Sequence, residues 1–255
     1  MPNPRLKQIV LSRYDDAEFL GEKDIRELAR LLGLAREDVK ALLDDLSRRR
    51  TNMADALRAI GATMLWSALR SRTSALLSSS IESGWSSGLQ AAGEIAKHMG
   101  EVLPSASPTM LDMLRSNAIP FADAQTKAIE ARIRGELVRG LLNKDPMRQI
   151  ADRMIGAGLR SEGTVWKSSL ARADTTIRTE VSRAYHAAMT NRLSQADWIT
   201  GYQYLTQPEG PWPCSRCEPF HGQFFPKGTE PMLPKHPSCR CLLLPTTQKY
   251  GTYDI

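Results

Sequence analysis

Apolar residues recur at helical spacing from about residue 25 to 195, the run WITGYQYL at 198–205 is rich in β-branched and aromatic side chains, and all four cysteines fall between positions 214 and 241. Together these observations predict an α+β protein. Its N-terminal and central regions are mostly helical, and a small β-containing C-terminal domain is stapled by a metal ion.

Residues 1–50 read as a short helical bundle. Ile25, Leu28, Ala29, Leu31 and Leu32 line one amphipathic helix and Val39, Leu42, Leu43 and Leu46 a second, with the turn at Gly33-Leu34. The pair has the layout of a helix-turn-helix. Its second helix, however, opens with Glu37 and Asp38 and carries Asp44 and Asp45, which DNA phosphates repel, so docking onto protein suits it better. Residues 51–103 lack proline and predict one long helix, with Leu57, Ile60, Met64, Leu65, Ala68 and Leu69 at helical spacing. Small residues become frequent after Arg72, and Gly84 and Gly88 predict a close helix contact, either within the chain or between copies in an oligomer. Residues 104–120 hold three prolines and predict a linker. Helical spacing resumes from Phe121 to Leu142. It breaks at Asn143-Lys144-Asp145-Pro146, with Asp145 as the expected N-cap and Pro146 at the first helical position. A short helix at 147–154 follows, then glycines at 156, 158 and 163, then a helix over 165–195. On that last helix the spacing pairs Asp174 with Arg178 and Glu180 with Arg183. The alternation at 198–205 is that of a strand, with short strands or loops after it. The tail, 246–255, is polar and is expected to be mobile.

The cysteines carry the chemistry. Cys214 and Cys217 form a Cys-x-x-Cys knuckle. About twenty residues later His236, Cys239 and Cys241 form a second in the stretch HPSCRC. Two such knuckles can close the tetrahedron that Zn²⁺ prefers. In an extended segment Cys239 and Cys241 point the same way with Arg240 opposite, so four thiolates could share the ion, with His236 as a substitute ligand or as a group behind the ligands. His221 is a further candidate, better suited to capping a turn. Four protein ligands leave no open position for a reacting water, and this makes the site structural. Two disulfides or a redox pair are the competing readings. The start, MPNPRLKQIVL, shows no secretory pattern, and Cys214 sits in a proline-broken loop rather than a strand-helix turn.

Charge excludes little. The net charge is +6 and most of the excess lies in residues 121–205, where 13 Lys and Arg face 9 Asp and Glu. Interleaving with acids makes this a solvated helical surface, able to touch DNA only non-specifically. No run reaches the roughly 18 consecutive apolar residues of a membrane span.

The succession GLLNKDPMRQIADRM, ARADTTIRTEVSRAYHAA, the strand after Trp198, then CSRC, HGQFF and HPSCRCLLLP resembles the phage Mu F-like head morphogenesis family, the minor head proteins of tailed bacteriophages. The resemblance covers residues 121–245. It rests on Arg178, Thr179 and Glu180 of the helix and on Cys214, Cys217, His236, Pro237, Cys239, Arg240 and Cys241. One departure is the loop QPEGPWPC, where Glu209 is the nearest acid to the first cysteine and the family often has an aspartate. What the resemblance implies is a virion component at the portal vertex, present in the host cytoplasm during assembly. Its role would be in head assembly, DNA packaging or genome delivery, with the portal protein, scaffold or major capsid protein as partners. An enzyme is not expected. Arg178 and Glu180 do not face each other on a helix, His186 lies six residues from Glu180, and no phosphate loop, GxSxG or HExxH occurs. The remaining alternatives are a nucleic-acid-binding zinc module using Arg216, Lys227, Lys235 and Arg240, and an enzyme, a nuclease or transferase, fused to a head module.

Overall fold

The fold is that of a computed structural model, which describes residues 3–49, 51–156, 165–206 and 215–253. It is mostly helical with a small C-terminal sheet. Among the described residues seven helices come first: α1 (Pro4–Arg48), α2 (Met53–Ala62), α3 (Leu65–Met99), α4 (Pro108–Arg115), α5 (Ala118–Asn143), α6 (Met147–Ile155) and α7 (Val165–Leu193). They are followed by β1 (Ile199–Leu205), a single 3₁₀ turn at Glu218–Phe220, β2 (Phe224–Pro226) and β3 (Leu242–Thr247). No described helix is long and apolar enough to cross a membrane.

Several elements differ from the sequence reading. The two N-terminal helices are one: Gly33 is accommodated inside α1, because a single glycine costs only about 1 kcal/mol in a helix that buries a long stripe. That stripe, Leu28, Leu31, Leu32, Ala35, Val39, Leu43 and Leu46, keeps its 3.6 period straight through the expected turn. The long helix expected over 51–103 is broken at Thr63-Met64, leaving Met64 81% exposed. Trp66 Nε1 donates to the Ile60 carbonyl at 2.6 Å across the break, and so satisfies a group that continuous helix would have bonded. The expected linker contains α4, with Pro108 at its first position, and Pro120 sits in the first turn of α5, where a missing N–H costs nothing. Asp145 does not cap α6. The N-cap is Pro146, without a side-chain bond, and the Asp145 carboxylate instead pairs with Arg153 at 2.8 Å while Lys144 takes the positive φ of 57°.

The chain divides into two compact units. One comprises residues 24–78 and 116–174; the other comprises 1–23, 79–115 and 175–255. In the first, the stripe of α1 is joined by a stripe on α5, Ala122, Gln125, Ile129, Ile133 and Leu137, all buried. Gly140 of α5 meets the Ile150 side chain of α6 where a Cβ would not fit.

The second unit holds the sheet. Gly84 and Gly88 of α3 lie against the backbone of α7: a Cβ on Gly84 would stand 2.5 Å from the Val181 carbonyl oxygen, and one on Gly88 closer still to that of Tyr185. The glycine pair is therefore a helix–helix contact within the chain. The buried Tyr185 hydroxyl donates to the Val10 carbonyl of α1 at 2.8 Å, tying α7 to α1. The sheet has the order β2-β1-β3, antiparallel throughout, with Tyr202 opposite Phe225 and Pro245, and Tyr204 opposite Leu243. Every residue of β3 is buried, as is all of β1 except Thr200, whereas β2 stays at the surface. The tail supplies part of the cover. Tyr253 is buried, its hydroxyl donates to the Pro245 carbonyl at 2.8 Å, its N–H donates to the Gln203 amide oxygen, and Gln203 Nε2 donates back to its carbonyl at 3.0 Å. Contrary to the expectation of a mobile tail, this stretch is pinned to β1.

Candidate metal centre

Three of the sequence-predicted ligands converge. Among the described residues, Cys217, His236 and Cys239 form a group whose ligand atoms all lie within 4.8 Å of one another. Both cysteines are buried, and their sulfurs are 3.9 Å apart. A disulfide needs ~2.05 Å. A tetrahedral ion with metal–sulfur bonds of ~2.3 Å separates two of its sulfurs by ~3.8 Å, so the observed spacing matches shared coordination of Zn²⁺ or an ion of similar size.

The local sequence explains the convergence. In His236-Pro237-Ser238-Cys239 the Cys239 N–H closes a turn onto the His236 carbonyl at 3.1 Å, with Pro237 second and Ser238 third at φ 57°. This is the type II pattern, in which proline presets the second position and the third is left-handed. The turn brings the side chains of its first and last residues to one side. On the other knuckle, Cys217 leads into the turn Glu218–Phe220, whose Phe220 N–H bonds the Cys217 carbonyl at 3.0 Å.

The imidazole is poised to be a ligand. Its Nδ1 donates to the Pro237 carbonyl at 2.9 Å, which leaves the lone pair on Nε2, and that atom is buried without any hydrogen-bond partner. An orphaned buried acceptor costs about 1–3 kcal/mol unless something binds it, and a backbone carbonyl fixing the far ring nitrogen is the usual support of a metal-bound histidine. Donor set, spacing and orphaned nitrogen all fit a metal ion held by Cys217, His236 and Cys239.

The thiols are electrostatically coupled. Cys239 is pulled down to about 5, chiefly by the hydrogen bond from Cys241, and the same bond pushes Cys241 up. Burial pushes the Cys217 thiol up. A divalent ion at the trio would favour the thiolate form of both Cys217 and Cys239. Cys241 is buried beside Cys239 but stands outside the compact trio. It leads directly into β3, and Arg240 turns away from the cluster. The Tyr204 hydroxyl, buried next to Cys217 and Cys241, makes no well-formed hydrogen bond. Cys214, predicted as the fourth ligand, lies outside the described residues, as does Glu209. His221 stands outside the trio and serves the turn: its Nδ1 accepts from the Thr206 N–H at 3.3 Å and meets the Thr206 hydroxyl at 2.8 Å, closing the end of β1.

Sequence reasoning missed the helix behind the cluster. Ser238 N–H donates to Thr179 Oγ1 at 3.0 Å, Ser182 Oγ donates to the Cys239 carbonyl at 3.4 Å, and His186 Nε2 donates to the Cys241 carbonyl at 3.0 Å. Positions 179, 182 and 186 are one face of α7, a spacing visible in the sequence, although its partner was not. The groups considered for catalysis are otherwise engaged: Arg178 reaches Glu22 at 3.8 Å, Glu180 pairs with Arg183, and His186 is fully buried with its pKa lowered to about 3 by desolvation. Of the four cations near the cluster, Lys227 donates to the Ala196 carbonyl at 3.0 Å, Lys235 lies 4.6 Å from the centre of the Phe220 ring, and Arg240 forks onto Glu18.

No protein-family model, no curated protein and no solved structure matches this chain.

Proposed function

We propose that the chain is a non-catalytic assembly protein whose C-terminal module is stapled by a zinc ion, and that it serves as a minor head protein at the portal vertex of a tailed phage. The observation that carries the metal part is the orphaned Nε2 of His236 beside two buried sulfurs 3.9 Å apart. The assembly part rests on the order of the RTE helix, the strand and the two knuckles in the sequence. A rigid surface on residues 215–245, fixed by the ion, would dock onto the portal protein, and contact with scaffold, major capsid protein or packaged DNA would be secondary. Copurification with the portal protein encoded nearby tests it. The complex should form with zinc-loaded protein and weaken when a chelator strips the ion. Metal-loaded chain that ignores the portal overturns the assembly reading, and chain that holds no metal overturns the staple.

The second reading, a nucleic-acid-binding zinc module, is favoured by the same Cys/His cluster. Against it stand the engaged side chains of Lys227, Lys235 and Arg240, which leave Arg216 as the one nearby cation without a described partner. Salt-dependent DNA binding that is lost in Arg216→Ala would establish it.

A further inference from the structure

We propose that α7 and α1 are part of the metal centre, with Thr179, Ser182, His186 and Glu18 as the positioning residues that hold the second knuckle in its ligating shape. The inference rests on the metal reading above and deepens it. Four consecutive residues, 238 to 241, each carry a bond to a helix. The Ser238 N–H goes to Thr179, the Cys239 carbonyl to Ser182, the Arg240 guanidinium to Glu18 with its Nε at 2.6 Å, and the Cys241 carbonyl to His186. β3 begins only at Leu242, so no strand ladder fixes this segment.

The bonds have defined direction. Thr179 Oγ1 donates to the Thr175 carbonyl at 2.6 Å, and this spends its proton and leaves a lone pair for Ser238. The Tyr14 hydroxyl donates to Ser182 Oγ at 3.3 Å, which turns the serine proton toward Cys239. A buried neutral imidazole has one N–H, and His186 gives it to Cys241. The anchored residue Ser238 is the one in the left-handed region, a conformation that a non-glycine residue keeps only where its surroundings impose it. Thr179 supplies that restraint two residues from His236 and one from Cys239. The helices thus replace the chain entropy that the free loop would lose on closing round an ion.

The test is zinc affinity of the full chain, read by competition with a chelating dye, together with the visible spectrum of the Co²⁺-substituted protein. Thr179→Val with Ser182→Ala should weaken zinc about 10- to 100-fold, in the range seen when groups supporting metal ligands are removed. Co²⁺ should show an altered ligand field in this variant, and Thr179→Ser should restore both. A purely structural contact would lower thermal stability without moving affinity or spectrum, so unchanged values in a folded double variant overturn the inference alone. Wild-type chain that takes up neither ion overturns the metal reading and this inference with it. Should the double variant not fold, Glu18→Gln, which keeps the side chain's size and removes only its charge, carries the same expectation at reduced size, and an affinity equal to wild type is then the overturning result.

Discussion

Replacing Gly88 by alanine should pull α3 away from α7. The new Cβ would approach the Tyr185 carbonyl oxygen at well under 3.0 Å and the Ala188 Cβ at 2.9 Å, whereas ordinary contacts begin near 3.4 Å. The obstacle is backbone, which no rotamer change relieves, so the cost should lie near the upper end of overpacking, about 3 kcal/mol. Alanine's better helix propensity returns about 1 kcal/mol, for a net loss of about 2 kcal/mol. Gly93 on the same helix is the control. Its Cβ would meet only Arg192 Nη1 at 3.6 Å, an ordinary contact, so Gly93→Ala should gain about 1 kcal/mol. Urea unfolding followed by circular dichroism and by the fluorescence of buried Trp85 should therefore separate the two variants by about 3 kcal/mol. Equal midpoints for Gly88→Ala and Gly93→Ala would refute the close approach of these helices.

His186 gives a pH signature. Burial lowers its pKa from 6.5 to about 3, so the folded chain refuses a proton that the unfolded chain accepts. This contribution is whole above pH 6.5 and drains away as pH falls from 6.5 toward 3, at about 1.4 kcal/mol per unit. Urea midpoints measured in chelator for wild type and His186→Gln should converge as pH falls through that window, and parallel curves would contradict the assignment. Removing Gly251 to Ile255 uncovers Gln203, whose amide bonds both the N–H and the carbonyl of Tyr253, and should cost about 2–4 kcal/mol through the lost aromatic burial and two unmet hydrogen bonds. Calorimetry of the truncated chain reads it, and an unchanged Tm would show the tail to be free. Chelation of zinc-loaded protein should open residues 215–241 to protease while leaving α1, α3 and α7 helical, as mass spectrometry of the fragments would show.

The sequence made the helices from residue 118 to 193 and the strand near residue 199 readable because periodicity and composition agree there. It hid the continuity of α1, since a glycine inside an amphipathic run looks the same whether it ends a helix or is carried by tertiary burial. The break at Thr63-Met64 was equally hidden: neither residue is a helix breaker, and the compensating bond from Trp66 to Ile60 is visible only in three dimensions. At the site, the residue types and knuckle spacing pointed to Cys217, His236 and Cys239, whose ligand atoms come within 4.8 Å of one another. Alternation put Cys241 on the same footing as Cys239; its thiol lies against that of Cys239, although the compact trio does not include it. The support from Thr179, Ser182 and Glu18 joins residues 57 to 222 positions apart, and no local pattern reports such a partnership.

A physical reason for a staple emerges from the sheet itself. Its strands are 7, 3 and 6 residues long, and between β1 and β3 the chain runs 36 residues with only the short β2 and one 3₁₀ turn described. Loops beyond about 12–15 residues are uncommon in compact domains, and three short strands bury too little surface to order so long a connection by themselves. An ion joining Cys217 to Cys239 closes 22 of those residues into a loop, and the bonds to α1 and α7 hold the far knuckle. Both devices act on the segment that lacks ladder hydrogen bonds. A centre built this way contributes to stability and shape. On the assembly reading proposed above, loss of the ion should be felt first as loss of binding to the portal protein.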